Sequence, residues 1–482
     1  GDFNGDGYSD LAAGAERFGN FDEGIIRIVP GGPLGAALDL RDAQARQQAG
    51  VVSLTSNNAS AGYGRRIGAA GDVDGDGLDD LFVHPSKLAP AVPTAVVFGR
   101  AEAGDLSMEA GDGINRRRTQ FGFGFEVRPP NGIFVTSGRV VTSQEMTGGG
   151  DINADGLDDV AIRTMVAEGG ELLVGFGRRD RVLPHVPAMT FNNGGYAIRG
   201  FPVNFEGGAA LGDVNGDGYD DVVLGYPFPH LPDAAGAGQL VIVFGRPDAP
   251  PATVDQLIAQ RAGYREAGPW PGVAFGYALD VGDVNGDGLA DIVVGATERP
   301  GGGAVAVYLG RDTEGVITHR GGVGADTLVG TAGVDVMVGA QGDDVLRGLG
   351  GADALSGGAG DDVLEIGSAD FRRVDGGLGT DTLRTVGGLT LDLTLLRAKV
   401  RGIDRVDLTD AGADTLVVDS HAIFRNSGGA RLLVVDGGPE DVVQATGSGW
   451  AAAPAVTVSG VDYAVLRDGP VELRVARGVT VQ

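Results

Sequence analysis

A nine-residue pattern, Asp-x-(Asp/Asn)-x-Asp-Gly-x-x-Asp, occurs five times and limits what this chain can fold into. The copies are Asp2-Asn4-Asp6-Tyr8-Asp10, Asp72-Asp74-Asp76-Leu78-Asp80, Asp151-Asn153-Asp155-Leu157-Asp159, Asp213-Asn215-Asp217-Tyr219-Asp221 and Asp283-Asn285-Asp287-Leu289-Asp291. Oxygen-bearing side chains at positions 1, 3, 5 and 9, with Gly at position 6, suit a hard cation held by roughly six to eight oxygens, which points to calcium. Position 7 is Tyr8, Leu78, Leu157, Tyr219 or Leu289, as expected where only the backbone carbonyl is a ligand. An EF-hand would need Glu at position 12, but Ala13, Val83, Ile162, Leu224 and Val294 stand there. The residues after each loop are short, apolar runs rich in β-branched side chains, so they read as buried strands and not as exiting helices. Acidic turns without a metal would hold several carboxylates together in mutual repulsion.

With 482 residues the chain can hold two or three domains. It has 87 Gly and 22 Pro, a level that would suggest disorder if many glycines did not fall at fixed repeat positions. The net charge of −28 argues against nucleic acid and anionic membrane surfaces as partners. Roughly eight to ten bound Ca²⁺ would cancel more than half of that charge. Cysteine is absent, so disulfide and thiolate chemistry are excluded. No apolar run approaches the ~18 residues of a membrane span. The chain opens at Gly1 inside a repeat and reads as a fragment or processed piece, so the lack of a visible signal peptide carries no weight.

The loops begin at 2, 72, 151, 213 and 283, a period that suits propeller blades of several short strands. Phe275–Val281 reads as a strand entering the loop, Ile292–Ala296 as a second and Ala304–Gly310 as a third. Gly238–Arg246, Thr94–Arg100 and Glu171–Arg178 repeat the third, and Gly194–Gly200 reads as an outer strand. Phe275-Gly276 and Tyr63-Gly64 at strand starts, the Asp loop, and Gly295-Ala296 and Gly14-Ala15 after the second strand resemble the FG-GAP repeats of integrin alpha chains and their bacterial relatives. The resemblance spans residues 1–312 and implies a β-propeller with calcium loops in the hairpins between the first two strands of each blade. Four whole blades and one partial blade are visible, so either further blades complete the ring or a smaller ring closes. The third blade departs from the pattern, with Gly148–Gly150 leading in and Ala154 where other loops have Gly.

From 321 to 384 the period falls to nine. Asp326, Asp335, Asp344, Asp353 and Asp362 are evenly spaced, with Gly two residues before each and Leu or Met two after. Asp381 belongs to a sixth copy after an interruption at Ile366–Asp375. The pattern resembles the G-G-x-G-x-D-x-U-x nonapeptide of RTX proteins, which implies a parallel β-roll. In that roll the apolar position fills the core and the aspartates meet calcium between stacked turns. Thr331, Ala340 and Leu349 replace the second glycine, and these turns are expected to bind less tightly. Residues 385–482 read as a β-rich cap with strands at Leu389–Leu396 and Leu432–Val435 and a decayed turn at Asp414. The stretch from Gly402–Leu408 through Gly437-Gly438 and Gly449-Trp450 resembles the β-rich caps that end bacterial RTX adhesins, which implies a type I secretion signal in this region.

The expected fold is therefore all-β: an integrin-alpha-like propeller of at least four to five blades, a parallel β-roll and a C-terminal cap. His84, His185, His230, His319 and His421 share no metal spacing, and no HExxH, GxSxG or P-loop occurs. The chain reads as a non-enzyme. Doublets such as Asp79-Asp80 and Asp220-Asp221 recur between blades and read as structural. Arg116–Arg118 beside Phe121–Phe125 reads as a solvated inter-blade loop, and Trp270 is a weak candidate for ligand contact. The expected function is adhesion or recognition of an extracellular protein or glycan by a secreted or surface-displayed bacterial protein, with several Ca²⁺ ions triggering folding after export. The alternatives are the non-catalytic part of a secreted phospholipase or glycan-cleaving enzyme, and a structural surface segment.

Overall fold

The computed structural model describes residues 1–17, 24–32, 38–56, 63–85, 95–100, 106–108, 135–136, 139–140, 142–166, 169–179, 195–201, 207–227, 237–247, 252–270, 273–297, 302–427 and 431–482. Arg116–Arg118, Phe121–Phe125, His185 and His230 lie outside the described residues. Five small, mainly antiparallel sheets and a two-stranded pair, Val135–Thr136 with Arg139–Val140, occupy the first part, and a parallel solenoid occupies the rest.

Four of the acidic loops are the turns of antiparallel hairpins: Tyr63–Gly71 with Asp80–Pro85, Thr142–Gly150 with Asp159–Val166, Ala209–Gly212 with Asp221–Tyr226, and Ala274–Gly282 with Asp291–Thr297. The first loop runs directly into Leu11–Ala15, which pairs with Ile25–Val29. Third strands follow at Ala95–Val97, Gly169–Gly175, Gln239–Val243 and Ala304–Tyr308. Gly195–Phe201 and Gly263–Ala267 form outer strands. Gly148–Gly150, which lead into the third loop, are the end of a nine-residue strand.

Asp221–Tyr226 and Gln239–Val243 are buried on both faces because their sheet, the fourth, lies between the third and the fifth. Separate apolar cores join the first sheet to the second around Ile26 and Leu54, and the second to the third around Phe82 and Phe98. Further cores join the third to the fourth around Leu172 and Tyr226, and the fourth to the fifth around Ile242 and Phe275. Among the described residues no core joins the fifth sheet to the first, and Val305 and Val307 in its last strand and Leu309 just after it are exposed. The Phe-Gly and Tyr-Gly starts gain a physical reason here. A Cβ on Gly225 would lie 2.0 Å from the carbonyl oxygen of Gly276, and one on Gly14 2.1 Å from that of Gly64, so adjacent sheets touch backbone to backbone.

In the third sheet the position equivalent to Gly14 and Gly225 is Arg163, which is 1% exposed. Its guanidinium donates to the carbonyls of Gly207, Gly208 and Gly225, each at 3.3 Å, and lies 4.9 Å from the centre of the Tyr226 ring.

The solenoid stacks parallel strands in two sheets: His319–Arg320, Val336–Gln341, Ala354–Ala359, Arg373–Leu378 and Val400–Arg401 on one side, and Thr327–Val329, Val345–Arg347, Val363–Ile366, Thr382–Thr385, Arg405–Asp407 and Leu432–Asp436 on the other. Met337, Leu346, Leu355, Leu364 and Leu383 fill the interior, as their register required. The boundary expected at 384 is not a boundary of packing. The second sheet runs past it, and one core extends from Met337 to Val479. A third sheet begins there with Thr390–Asp392, Thr415–Val418, Val442–Ala445 and Thr480–Val481, so the roll opens into a three-sided coil. Only Thr390–Asp392 of Leu389–Leu396 is strand, because the chain turns a corner of the coil at Leu393. The capping element is the antiparallel hairpin of Ala451–Val458 and Val461–Asp468 against Val471–Ala476.

Replacing Arg163 by Ala removes the donor from three carbonyls and opens a void. It is expected to cost about 2–5 kcal/mol in denaturant unfolding at fixed calcium. A loss under about 1 kcal/mol would contradict this role for the guanidinium.

Candidate metal centres and the surface that covers them

All five acidic loops are built on one hydrogen-bond scheme. The first Asp accepts from the N–H groups of the turn: Asp2 from Gly5, Asp6 and Gly7 at 2.7, 3.1 and 2.8 Å, and Asp213 and Asp283 in the same way. The third side chain accepts from the N–H of the fifth residue, as Asn4 does from Asp6 at 2.9 Å and Asn285 from Asp287 at 2.8 Å. The fifth accepts from the seventh, as Asp76 does from Leu78 at 2.9 Å. The side chains of Leu157 and Leu289 are buried, which leaves position 7 only its carbonyl to offer a cation.

The ninth residue does more than close the loop. Asp80 accepts from Val73 N–H at 3.0 Å and from Gly99 N–H at 2.9 Å, so it ties the loop start to the end of the third strand. Asp10, Asp159, Asp221 and Asp291 repeat this with Gly31, Gly177, Gly245 and Gly310. The recurring Gly-Arg at 99–100, 177–178 and 245–246 marks this tie.

Carboxylate oxygens of Asp2, Asp6 and Asp10 lie within 4.8 Å of one another, as do those of Asp72, Asp74 and Asp80. Burial lifts the Asp72 carboxyl to about 6 against the pull of Arg425 and Arg397. Burial, reinforced by carboxylates of the same loop, pushes Asp80, Asp159 and Asp221 well above the ordinary carboxylate range. Asp72 also has a buried oxygen, Oδ1, that meets no hydrogen-bond donor. Oxygen-only ligands, crowding and an orphaned buried oxygen fit a divalent hard cation. One loop differs locally: Ala154 takes φ 56 where Gly5, Gly75, Gly216 and Gly286 have similar positive values.

In the solenoid the aspartates form ladders. Each Oδ1 accepts the N–H of an Asp one coil earlier: Asp344 from Asp326 at 2.6 Å, Asp353 from Asp335 at 2.9 Å, Asp362 from Asp344 at 2.8 Å and Asp381 from Asp362 at 2.8 Å. The Oδ2 atoms of Asp344, Asp362 and Asp381 are buried without a donor, again a fit to a cation. Burial lifts Asp362 to about 6 and Asp381 to about 7. The ladder continues to Asp404, which accepts from Asp381 N–H at 3.1 Å. Sequence reasoning passed over Asp404, although Gly402-x-Asp404-x-Val406 repeats the nonapeptide spacing.

All five loops face the solenoid. Ser356 Oγ donates to Gly288 O at 2.8 Å, and Gln341 Nε2 donates to Asn285 O at 3.0 Å. Arg372 lies over the Tyr219 ring and Arg431 over the Tyr8 ring, while Arg179 between them donates to Leu395 O. Arg397 approaches Asp72 Oδ2 at 3.6 Å.

The eighth loop residue links neighbouring blades. Asp79, Asp158 and Asp220 accept the N–H of Asp2, Asp72 and Asp151 at 2.6, 2.7 and 2.8 Å. Arg425 pairs with Asp79 and Asp158, while Arg373 and Arg401 reach Asp220 at 2.7 and 3.0 Å. Burial alone would push Asp220 up, but these two guanidinium groups hold it well below the usual range. Sequence reasoning missed these three arginines because they stand 153 or more residues from the Asp doublets they meet. The doublets tie neighbouring blades and strand ends together. His319 and His421 sit on different coils, and Trp270 is half-buried against the core of the fourth and fifth sheets.

These raised carboxyls fix the sign of the pH response. Protonated in the fold and ionised when unfolded, they favour unfolding increasingly from about pH 4 to about pH 7. In EDTA the melting temperature is expected to be higher at pH 5 than at pH 8. Added calcium should stabilise more at pH 8 than at pH 5, because it selects the ionised carboxylates. Equal melting at both pH values in EDTA would refute the inference.

The FG-GAP repeat family matches residues 1–29, 207–243 and 275–308. The RTX calcium-binding nonapeptide repeat (4 copies) matches 320–355 and 329–364. Similar proteins include integrin alpha-PS2 of Drosophila melanogaster, 34% identical over 193 residues, or 38% of this chain and 13% of that protein. Integrin alpha-V of Gallus gallus is 27% identical over 233 residues, covering 47% of this chain and 19% of the relative. Phosphatidylinositol-glycan-specific phospholipase D of Rattus norvegicus is 38% identical over 107 residues, covering 21% and 12%. The chain therefore spans less than a fifth of the length of these relatives. The matched repeats are non-catalytic modules and support an extracellular, calcium-binding, adhesion-like role. Among the described residues no helix is long and apolar enough to cross a membrane. The chain carries FG-GAP repeats followed by RTX calcium-binding nonapeptide repeats.

Proposed function

We propose that the chain is the recognition part of a bacterial protein exported by type I secretion, a propeller that binds an extracellular protein or glycan once calcium has closed its loops and its roll. The observation that carries this reading is the placement of the five loops against the solenoid. With that face covered, the ligand belongs on the opposite one, where the second strands end at Ala15, Tyr226 and Thr297. Trp270 stands just before the strand Ala274–Gly282, which runs from that side toward its loop. The likeness to integrin alpha chains supports recognition by the propeller.

The ions would be held by the loop residues at positions 1, 3, 5, 7 and 9 and by Asp326, Asp335, Asp344, Asp353, Asp362 and Asp381. Calcium supplies the positive charge that lets these carboxylates ionise together. At the micromolar or lower calcium of a cytosol the loops would repel, and at millimolar calcium outside they would close. A second reading, that the chain is the non-catalytic part of a secreted hydrolase, draws on the similarity to the phospholipase D.

Binding to a glycan and matrix-protein array, in millimolar calcium and again in EDTA, tests the proposal. The expected result is saturable binding in calcium only, weakened at least several-fold by Trp270→Ala. Absence of binding by the folded calcium form would favour the accessory reading. Chelation monitored by circular dichroism is expected to remove the solenoid signal before that of the propeller, and an unchanged spectrum would end the switch idea.

A further inference from the structure

We propose that the junction between the fourth and fifth blades is a binding site for a small aliphatic carboxylate, which takes the place of a side chain missing at Ala290. At the three earlier junctions the eighth loop residue is Asp79, Asp158 or Asp220, whose Oδ2 accepts the N–H of the preceding loop's first Asp. Each of these carboxylates also meets an arginine from the solenoid. The fourth junction keeps the backbone half of this arrangement. Ala290 N–H donates to Asp213 O at 3.0 Å, as Asp79 does to Asp2 at 3.0 Å and Asp220 to Asp151 at 3.0 Å. The carboxylate is absent, and Asp213 N–H lacks the acceptor that its three counterparts have.

A cavity of about 230 Å³ stands in that place, bounded by Gly212, Asp213, Val281, Ala290, Arg373 and Arg401. Gly212 is equivalent to Gly71 and Gly150, whose Cβ would lie 2.3 and 2.9 Å from Oδ2 of Asp158 and Asp220, whereas on Gly212 it would meet Val281 Cγ1 at 2.5 Å and Ala290 Cβ at 3.4 Å. Arg373 and Arg401 grip Asp220 and also form a wall of the cavity, so donors already used for one carboxylate border the next position. Asp213, Asp283 and Asp375 lie there too. They do not forbid an anion, since Asp375 is paired with Arg373 at 3.4 Å and Asp213 lies 4.0 Å from the same guanidinium. Asp220 already shares Arg373 with Asp213, the first Asp of its own loop. Leu211, Val281, Leu289, Met337 and Leu355 give the cavity an apolar side that suits a short alkyl group.

Sodium acetate is the probe, compared with sodium chloride at equal ionic strength and equal free calcium. Saturation-transfer NMR is expected to show acetate bound to the full chain, and acetate is expected to raise the melting temperature by a few degrees. Ala290→Asp should raise the melting temperature by itself and abolish both acetate effects, because the chain then supplies its own carboxylate. Arg401→Met should lose the acetate signal while its calcium-dependent melting persists, which keeps the test open should Ala290→Asp fold poorly. An acetylated, amidated aspartate in place of acetate distinguishes a free metabolite from an acidic side chain of a partner. No acetate signal with the wild-type chain, or a signal that survives in Ala290→Asp, overturns the proposal.

Discussion

Carboxylates that must be buried side by side organise this molecule. In each acidic loop the turn N–H groups converge on the first Asp, and the ninth Asp ties the loop to the third strand. In the solenoid the same residue type stacks coil upon coil through N–H to Oδ1 bonds. Backbone donors hold the shape of both arrangements, but they leave anionic oxygens facing one another in places where water is scarce. Such sites are stable only when protons or cations lie among them. The fold is therefore conditional on its ionic surroundings in a way that an apolar core of equal size is not.

The protein answers the same demand with its own cations where a calcium loop cannot. Arg425, Arg373 and Arg401 reach from the solenoid to the Asp residues that bridge adjacent blades. A guanidinium suits this task because it stays charged and offers several donors in a plane. The propeller and the solenoid thereby share one charge balance. Leaving out Arg425 would strand the buried carboxylate of Asp158 in the other half of the molecule, whereas Asp220 is held by two guanidinium groups.

The sequence made the repeating parts legible because their signals are local. The spacing of Asp, Gly and apolar residues within nine positions was enough to place the hairpin loops, the second strands and the interior leucines. What escaped was set by contacts between distant segments. Arg163 reads like any charged residue at a strand end, yet it fills the place of a glycine between two sheets. The end of the roll at 384 was inferred from the loss of a motif, but a solenoid needs only stackable coils, and residues such as Val406 and Val435 continue the core without it. Asp404 shows the middle case, since its spacing was visible but its glycine-poor surroundings hid the repeat.

The coils also differ in length, and this bears on how the chain finds its alignment. Thr327 pairs with Val345 and Val345 with Val363, each 18 residues on, whereas Thr382 pairs with Arg405 and Leu432 with Glu472 at separations of 23 and 40. Equal coils are degenerate: a strand displaced by one whole coil meets an almost identical neighbour, and the error costs little. Unequal coils act like the graduations of a vernier, with only one alignment in which every rung coincides. The irregular C-terminal half thus serves as the reference mark from which the interchangeable nonapeptide coils are counted.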